Sequence, residues 1–213
     1  MKKIDENYFK NDKPTTSVEI ADLVGEDEQI LWQGKPKKSA YIMAAFFKMF
    51  PFAMLWLVFD GTFIGVMISQ GEQLPPFAVV FMIVFFAFHL IPVWVWLGNV
   101  LTASRQYKNI EYAFTGKRII IKSGVVGVDV KTIYYSQIES VNLKVGLTDK
   151  LFKVGDIYIT SQNQSQVLFD LTDPYFLSQK LQNIVADIKA DIQFPNALRP
   201  EENGGYRTKY VQE

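Results

Sequence analysis

Few side chains in this sequence are able to do acid–base or nucleophilic chemistry. It has no cysteine and a single histidine, His89, which lies inside an apolar run. Thiolate nucleophiles, disulfides and cysteine-based zinc sites are therefore excluded, and neither a Ser-His-Asp triad nor a multi-histidine metal site can be built. We predict no catalytic residue, no metal site and no cofactor, and we do not expect an enzyme.

One acidic residue stands out by its surroundings. Asp60 is one of only two charged residues in the 56 positions from Met49 to Ser104, the other being Glu72. A carboxylate near the centre of a bilayer costs roughly 2.5 kcal/mol or more, so it should face protein or water rather than lipid. We expect Asp60 to form a hydrogen bond with His89, as an intramembrane polar pair within one chain or between chains.

This polar pair has two interpretations. Beside it, Gly61 and Gly65 form a GxxxG motif, whose missing side chains allow another helix to approach closely. In the first interpretation, these residues only tie the helices together or pack them against a second copy. In the second, Asp60 and His89 form a proton or ion relay in a transport or channel subunit. A relay would require an oligomer, because two helices are too few to enclose a pathway.

Two apolar segments predict membrane-spanning helices. They run from Met49 to Ser69 and from Phe77 to Leu101, and each is long enough to cross ~30 Å of hydrocarbon at 1.5 Å per residue. The loop between them has no basic residue, whereas the outer ends are flanked by Lys35, Lys37, Lys38, Lys48, Arg105 and Lys108. The positive-inside rule therefore predicts a helical hairpin with both termini in the cytoplasm.

Behind the second span the pattern changes to short β-rich runs broken by Gly, Asn and Asp. We predict strands at Ile110–Phe114, Arg118–Lys122, Val128–Tyr135, Ser140–Val145, Asp156–Ser161 and Gln166–Leu171. Asp173 and Pro174 then begin an amphipathic helix with apolar residues at helical spacing. One helix after six or seven strands can plug the open end of a curled antiparallel sheet.

The order of short motifs in this region resembles a known family. The motifs are Thr115 with Lys117-Arg118, then Ser123-Gly124, Gly146-Leu147, Lys150-Leu151-Phe152 and Gly155-Asp156-Ile157. With the segment from Glu26 to Ile42, they are similar to the YdbS-like membrane proteins, the second bacterial pleckstrin-homology (PH) family. The resemblance covers roughly Gly25 to Ile192. It implies a membrane-anchored α+β protein, in which a two-helix transmembrane hairpin precedes a PH-like curled antiparallel β-sheet or barrel capped by a C-terminal α-helix.

The resemblance also implies how the chain is divided and where it resides. We expect a flexible N-terminal tail (1–24), a cytoplasmic lead-in (25–48), the transmembrane hairpin (49–104), the cytoplasmic PH-like domain (105–195) and a flexible C-terminal tail (196–213). The location implied is the bacterial cytoplasmic (inner) membrane, with a multi-pass topology. We expect the domain to fold, and to retain its binding, when it is cut free at about Asn109.

The family is not known for catalysis, so the resemblance implies anchoring and interaction. Lys117, Arg118 and Lys122 at the first hairpin are the candidates for binding a headgroup or a partner, and the alternative is an ordinary solvated turn. The balance of 22 basic and 22 acidic residues argues against nucleic acid. The expected partners are membrane lipids, a membrane protein or a second copy in a homo-oligomer, serving envelope maintenance or stress protection.

Overall fold

A computed structural model describes residues 19–25, 28–71, 75–162 and 164–193. Within these ranges the chain forms two antiparallel sheets, a C-terminal helix packed on them and three consecutive apolar helices. Glu72 in the predicted outer loop, residues 1–18 of the predicted N-terminal tail and all of the predicted C-terminal tail lie outside the described residues.

The first sheet includes a strand that the sequence analysis missed. Its order is β1-β2-β3-β4, with β1 Ile30–Gly34, β2 Glu111–Thr115, β3 Arg118–Ser123 and β4 Asp129–Tyr134. β1 comes from the predicted lead-in and pairs antiparallel with β2, so that Gly34 lies opposite Tyr112. Trp32 stacks on Phe114 with ring centroids 4.5 Å apart. The helical segment is therefore an insertion in a β1–β2 hairpin, and a domain cut at Asn109 would lack one of its own strands.

The outer face of this sheet is covered by the N-terminal segment. Ile20–Leu23 forms a 3₁₀ turn, and Ile20, 1% exposed, packs against Ala113 and Ile120. This corrects the predicted flexible tail at its C-terminal end, because Ile20 is part of a packed cluster. Burial on both faces also explains why β2 and β3 are apolar at consecutive positions rather than at alternate ones.

The second sheet completes the core. It has the order β5-β6-β7, with β5 Ile138–Lys144, β6 Val154–Ser161 and β7 Gln164–Thr172, while α4 Leu147–Phe152 connects β5 to β6 and α5 Pro174–Gln193 follows β7. All six predicted strands are present, with ends within two residues of those predicted. Leu177, Leu181 and Ile184 of α5 join the buried cluster formed by the two sheets, as the helical spacing predicts.

The apolar segment forms three helices, α1 Lys38–Ser69, α2 Pro76–His89 and α3 Ile91–Asn109. By length and composition α1 can cross a membrane, and α2 with α3 makes a second span only if this pair, bent by 51°, is counted as one. The predicted second span is thus broken rather than continuous. Pro92 beside the break has no N–H to donate, and the Trp94 indole donates a hydrogen bond across the break to the carbonyl of Ala87 (3.0 Å).

Candidate functional site

The turn between β2 and β3, where the sequence placed a headgroup site, is built by buried residues. The side-chain oxygen of Thr115, a fully buried residue, accepts hydrogen bonds from the backbone N–H groups of Lys117 (3.2 Å) and Arg118 (3.0 Å). The phenol of Tyr135 donates to the Thr115 carbonyl (3.0 Å). A threonine hydroxyl that bonds its own following backbone stabilises a tight turn. The turn therefore takes its shape from contacts within the chain.

Arg118 is engaged in an ion pair with Glu28. Its Nη2 lies 2.8 Å from Glu28 Oε2, its Nε donates to both carboxylate oxygens at 3.1 Å, and Nη2 also donates to the carbonyl of Leu23 (2.9 Å). The Glu28 side chain is 4% exposed. Burial alone would raise the pKa of Glu28, but hydrogen bonds from Arg118 and Thr115, with the charge of Arg118, hold that pKa below its ordinary value. Arg118 thus ties β3 to the N-terminal segment.

The three predicted basic residues do not form one cluster. Lys117 is exposed in the turn, at the end of β2 remote from α3. Lys122 lies near the other end of β3, opposite Glu111. At the rise of a β-strand, the four steps from Arg118 to Lys122 span about 13 Å. The geometry therefore does not favour a single headgroup site made of Lys117, Arg118 and Lys122.

Asp60 and His89 are in contact, as the sequence predicts, and the structure forms this contact within one chain. His89 Nδ1 lies 2.9 Å from Asp60 Oδ1 and 3.2 Å from Oδ2, and hydrogen-bond angles are met for Oδ2. Asp60 is 3% exposed, and the His89 ring stacks on Phe85 and lies near Trp56, with centroid distances of 5.1 and 5.7 Å. The pair joins α1 to the last residue of α2, directly before the bend. A relay role stays a prediction.

Gly61 and Gly65 face open space on α1. No neighbouring atom of the described residues lies within 4 Å of the place that a Cβ would take on either glycine. The glycines therefore do not bring α1 close to another of the helices that the structure describes. Packing of this GxxxG motif against a second copy stays a prediction.

A single family accounts for most of these elements. The model of the family described as Bacterial PH domain matches residues 52–184, from within α1 to within α5. This chain belongs to the bacterial PH domain family. The predicted membership is confirmed, and so is the PH-like α+β fold with antiparallel sheets and a C-terminal helix. The first strand of the PH sheet, β1, precedes the matched residues.

Two further comparisons add little. A search of curated proteins found no match. Among solved structures, the chain is similar to a DUF1696 family protein with a pleckstrin-homology domain from Shewanella loihica PV-4. The two are 22% identical over 39% of this chain and 74% of that chain, with a TM-score of 0.29. At that TM-score the similarity carries no structural argument.

Two residues that are prominent in the structure were not expected from the sequence. Glu28 has its partner Arg118 90 residues away, so no local pattern could have indicated the pair. Asp170 lies in β7, where the alternation of buried and exposed residues fails, because Asp170 and Leu171 are both buried after the exposed Phe169. In the sequence, Asp170 between Phe169 and Leu171 fits the regular alternation of a strand, so the β-bulge is visible only in the structure.

Proposed function

We propose that this bacterial PH domain protein is a membrane-anchored, non-catalytic interaction module. Its apolar helices cross the cytoplasmic (inner) membrane, both termini lie in the cytoplasm, and the PH domain binds a protein partner, a second copy or lipid headgroups at the inner surface. The module serves envelope maintenance or stress protection. Fold membership by itself does not identify the ligand.

The observation that carries this proposal is the apolar surface of the inserted helices. In α1 only Ala40, Ala53 and Asp60 are buried. Large side chains such as Phe59, Ile68 and Phe77 are 62%, 75% and 77% exposed. A soluble monomer rarely exposes apolar surface on this scale. A hydrocarbon environment would bury all of it without any further protein contact.

Hydrogen bonds also connect the helices to the PH domain at several points. The backbone N–H of Lys37 donates to the carbonyl of Asp170 (2.9 Å), and the Lys37 ammonium donates to the carbonyl of Phe152 (2.8 Å). At the end of α3, the side-chain amide of Asn109 donates to the carbonyl of Gly124 (3.1 Å). Such contacts at both ends of the insertion favour a domain held at one orientation to the bilayer rather than one on a loose tether.

A transport or channel subunit is the second candidate, and the buried Asp60–His89 contact favours it. An ionisable pair within membrane-spanning segments is a functional hypothesis by default. The same contact equally serves to hold α1 against the end of α2. If the contact is structural, Asp60→Asn should weaken the fold, whereas a relay role requires that Asp60→Asn abolish a proton flux and leave stability intact.

Single-cysteine labelling tests the membrane anchoring. The natural chain has no cysteine, so it serves as the unlabelled control. The positions are Gln70, at the end of α1, and Val126, which is 98% exposed in the β3–β4 loop. A membrane-impermeant maleimide should label Gln70→Cys in intact spheroplasts and Val126→Cys only after permeabilisation. Labelling of both from the same side, or recovery of the chain in the soluble fraction, would refute the proposal.

A further inference from the structure

β7 contains a bulge next to the helices. Gly155 of β6 pairs with Leu171 and Ile157 pairs with Leu168, so Phe169 and Asp170 together lie opposite the single residue Asp156. Asp170 has a φ of 49°, in the left-handed region. Bulges turn a side chain out of the regular alternation, and an unusual backbone conformation held by its surroundings is a pointer to function.

The bulge places a carboxylate in a buried position. Asp170 is 4% exposed, its backbone N–H donates to Asp156 Oδ1 (2.9 Å), and its carbonyl accepts from Lys37. Its side chain has no hydrogen-bond or ion-pair partner in the part of the chain that the structure describes. A buried, unpaired carboxylate is unfavourable, so this side chain is suited to bind a cation supplied from outside.

Asp170 lines a cavity between α1, α3 and β7. The cavity has a volume of about 310 Å³, within the usual range for small-molecule sites. Aromatic walls come from Tyr41 and Phe169, and polar groups come from Asn99, Thr102 and Gln106 of α3. Lys48 of α1 also lines it. A cation and an anion thus border one space.

The two charges are ordered along the direction in which a phospholipid lies. Lys48 directly precedes the long apolar segment that begins at Met49, whereas Asp170 belongs to the cytoplasmic sheet. Tyr41, which contacts Phe169 beside Asp170, is seven residues before Lys48, about 10 Å along the helix axis. From bilayer to cytoplasm the order is therefore apolar segment, lysine and carboxylate. In a phosphoethanolamine lipid the corresponding order is acyl chain, phosphate and ammonium.

We propose that this cavity binds the phosphoethanolamine headgroup of a membrane phospholipid, with the phosphate at Lys48 and the primary ammonium at Asp170. The inference rests on the proposed membrane anchoring and specifies the ligand of that module. It places the headgroup at the junction of the helices and the PH domain, not at the β2–β3 turn. The lipid would bridge the two parts of the protein.

The chemistry of the cavity favours ethanolamine over other common headgroups. A primary ammonium has three N–H donors for the Asp170 carboxylate and for the neutral polar groups of α3. The quaternary ammonium of choline has no donor, and glycerol has no charge to compensate the carboxylate. The phosphate is common to all three lipids, so Lys48 contributes affinity and Asp170 contributes selectivity.

The charged and titratable groups around Asp170 support this assignment. Burial raises its pKa to about 7, and the negative charges of Asp156 on β6 and Asp149 on α4 add to the effect. Tyr41 and Lys48 of α1 line the same cavity, and the Tyr112 phenol on β2 accepts a hydrogen bond from the backbone N–H of Phe169 (3.2 Å). Lys37, whose backbone N–H donates to the Asp170 carbonyl, directs its ammonium to the carbonyl of Phe152. A bound ammonium would relieve the repulsion and keep the Asp170 carboxylate ionised.

Native mass spectrometry of the purified full-length protein in detergent tests the proposal. The probes are phosphatidylethanolamine, phosphatidylglycerol and phosphatidylcholine with identical acyl chains, and soluble O-phosphoethanolamine as competitor. At about pH 8, where Asp170 is ionised, we expect the ethanolamine lipid to bind about tenfold more tightly than the other two. Lowering the pH through about 7 should remove this preference as Asp170 is protonated.

Two variants and two controls separate the roles of the charges. Asp170→Asn keeps the left-handed backbone, which Asn tolerates, and should lose the headgroup preference at every pH. Lys48→Gln should weaken the three lipids by a similar factor and keep the preference. The control variants Asp129→Asn and Lys35→Gln, both at exposed positions outside the cavity, should bind as the natural protein does.

The proposal fails if the natural protein binds all three lipids equally, or if Asp170→Asn retains the ethanolamine preference. These comparisons do not depend on one variant folding well, because the pH and headgroup comparisons use the natural chain. Competition by O-phosphoethanolamine as strong as that of the lipid would overturn the lipid as the ligand. If cysteine labelling supports anchoring while the lipids bind equally, only this inference fails, and the proposed function stands.

Discussion

Replacing residues 37–109 by a short Asn-Gly turn should give a soluble folded PH domain, whereas a chain that begins at Ile110 should not fold. The physical reason is that β1 and β2 form a hairpin, which the helices interrupt in the sequence. Gly34 and Tyr112 are antiparallel partners, so a tight turn can join β1 to β2 directly. A chain that begins at Ile110 lacks β1 and the 3₁₀ turn before it.

The cost of losing residues 19–36 is large compared with the stability of a domain. Ile20 is buried, and Trp32 and Ile30 are partly buried against the sheet, so at about 1.5–3 kcal/mol for each fully buried side chain they contribute roughly 4–6 kcal/mol. Removing Glu28 leaves Arg118 without its carboxylate, which adds about 2 kcal/mol for a partly exposed group. Domains are stable by only about 5–15 kcal/mol in total.

The assay is a comparison of two soluble proteins, residues 19–36 joined by the turn to 110–193, and residues 110–193 alone. Dispersed amide NMR resonances and a cooperative urea transition are expected for the joined protein, and neither for the shorter one. A third protein, with Trp32→Ala in the joined form, should have an intermediate midpoint. The reasoning is refuted if residues 110–193 alone show a cooperative urea transition.

Three further predictions concern charged groups. Glu28→Gln should lower the free energy of unfolding of the joined domain by about 2 kcal/mol near pH 7, measured by urea titration. It should also flatten the fall of this free energy in acid, because the stabilisation from a lowered carboxylate pKa is present above about pH 4.5 and is lost as the pH falls through the pKa of the folded state. Asp60→Ala and His89→Ala should show a coupling of about 1 kcal/mol in a double-mutant cycle of thermal unfolding in detergent. The transport role would be supported instead if Asp60→Asn left the stability intact but abolished a proton flux. Asp170→Asn should stabilise the lipid-free protein by about 1–2 kcal/mol at about pH 8 and by little at about pH 4. A carboxyl whose pKa is raised to about 7 contributes stability below pH 3.8, and this stability is lost as the pH rises through 7. An equal effect at both pH values would contradict this reasoning.

Asp170→Asn should raise the stability of the lipid-free protein but lower its selectivity for the ethanolamine lipid. In lipid-free detergent the ionised carboxylate is a cost, and Asn removes it. With the ethanolamine lipid bound, the carboxylate is compensated, so the natural protein should gain more thermal stability on lipid addition than Asp170→Asn does. Equal gains for the two proteins would count against a headgroup in this cavity.

The local elements of this protein were determined by the sequence itself. The six strands after Asn109 and the amphipathic helix α5 follow from periodicities of two and about 3.6 residues, which depend on a few neighbouring positions. The contact of Asp60 with His89 also followed from local information, because an antiparallel pair of helices brings two mid-segment polar residues to a similar depth. These predictions needed no knowledge of distant parts of the chain.

Tertiary structure alone decided which distant segments meet. β1 is a short strand whose partner lies about 80 residues later, and the charge of Arg118 looked available for a ligand until Glu28 was placed beside it. The bulge at Asp170 matters only because α1 and α3 close a cavity over it. Periodicity records which face of an element is buried, but it does not record what covers that face. That is set by packing among all elements at once, and it decides whether a charged residue is a structural partner or a binding group.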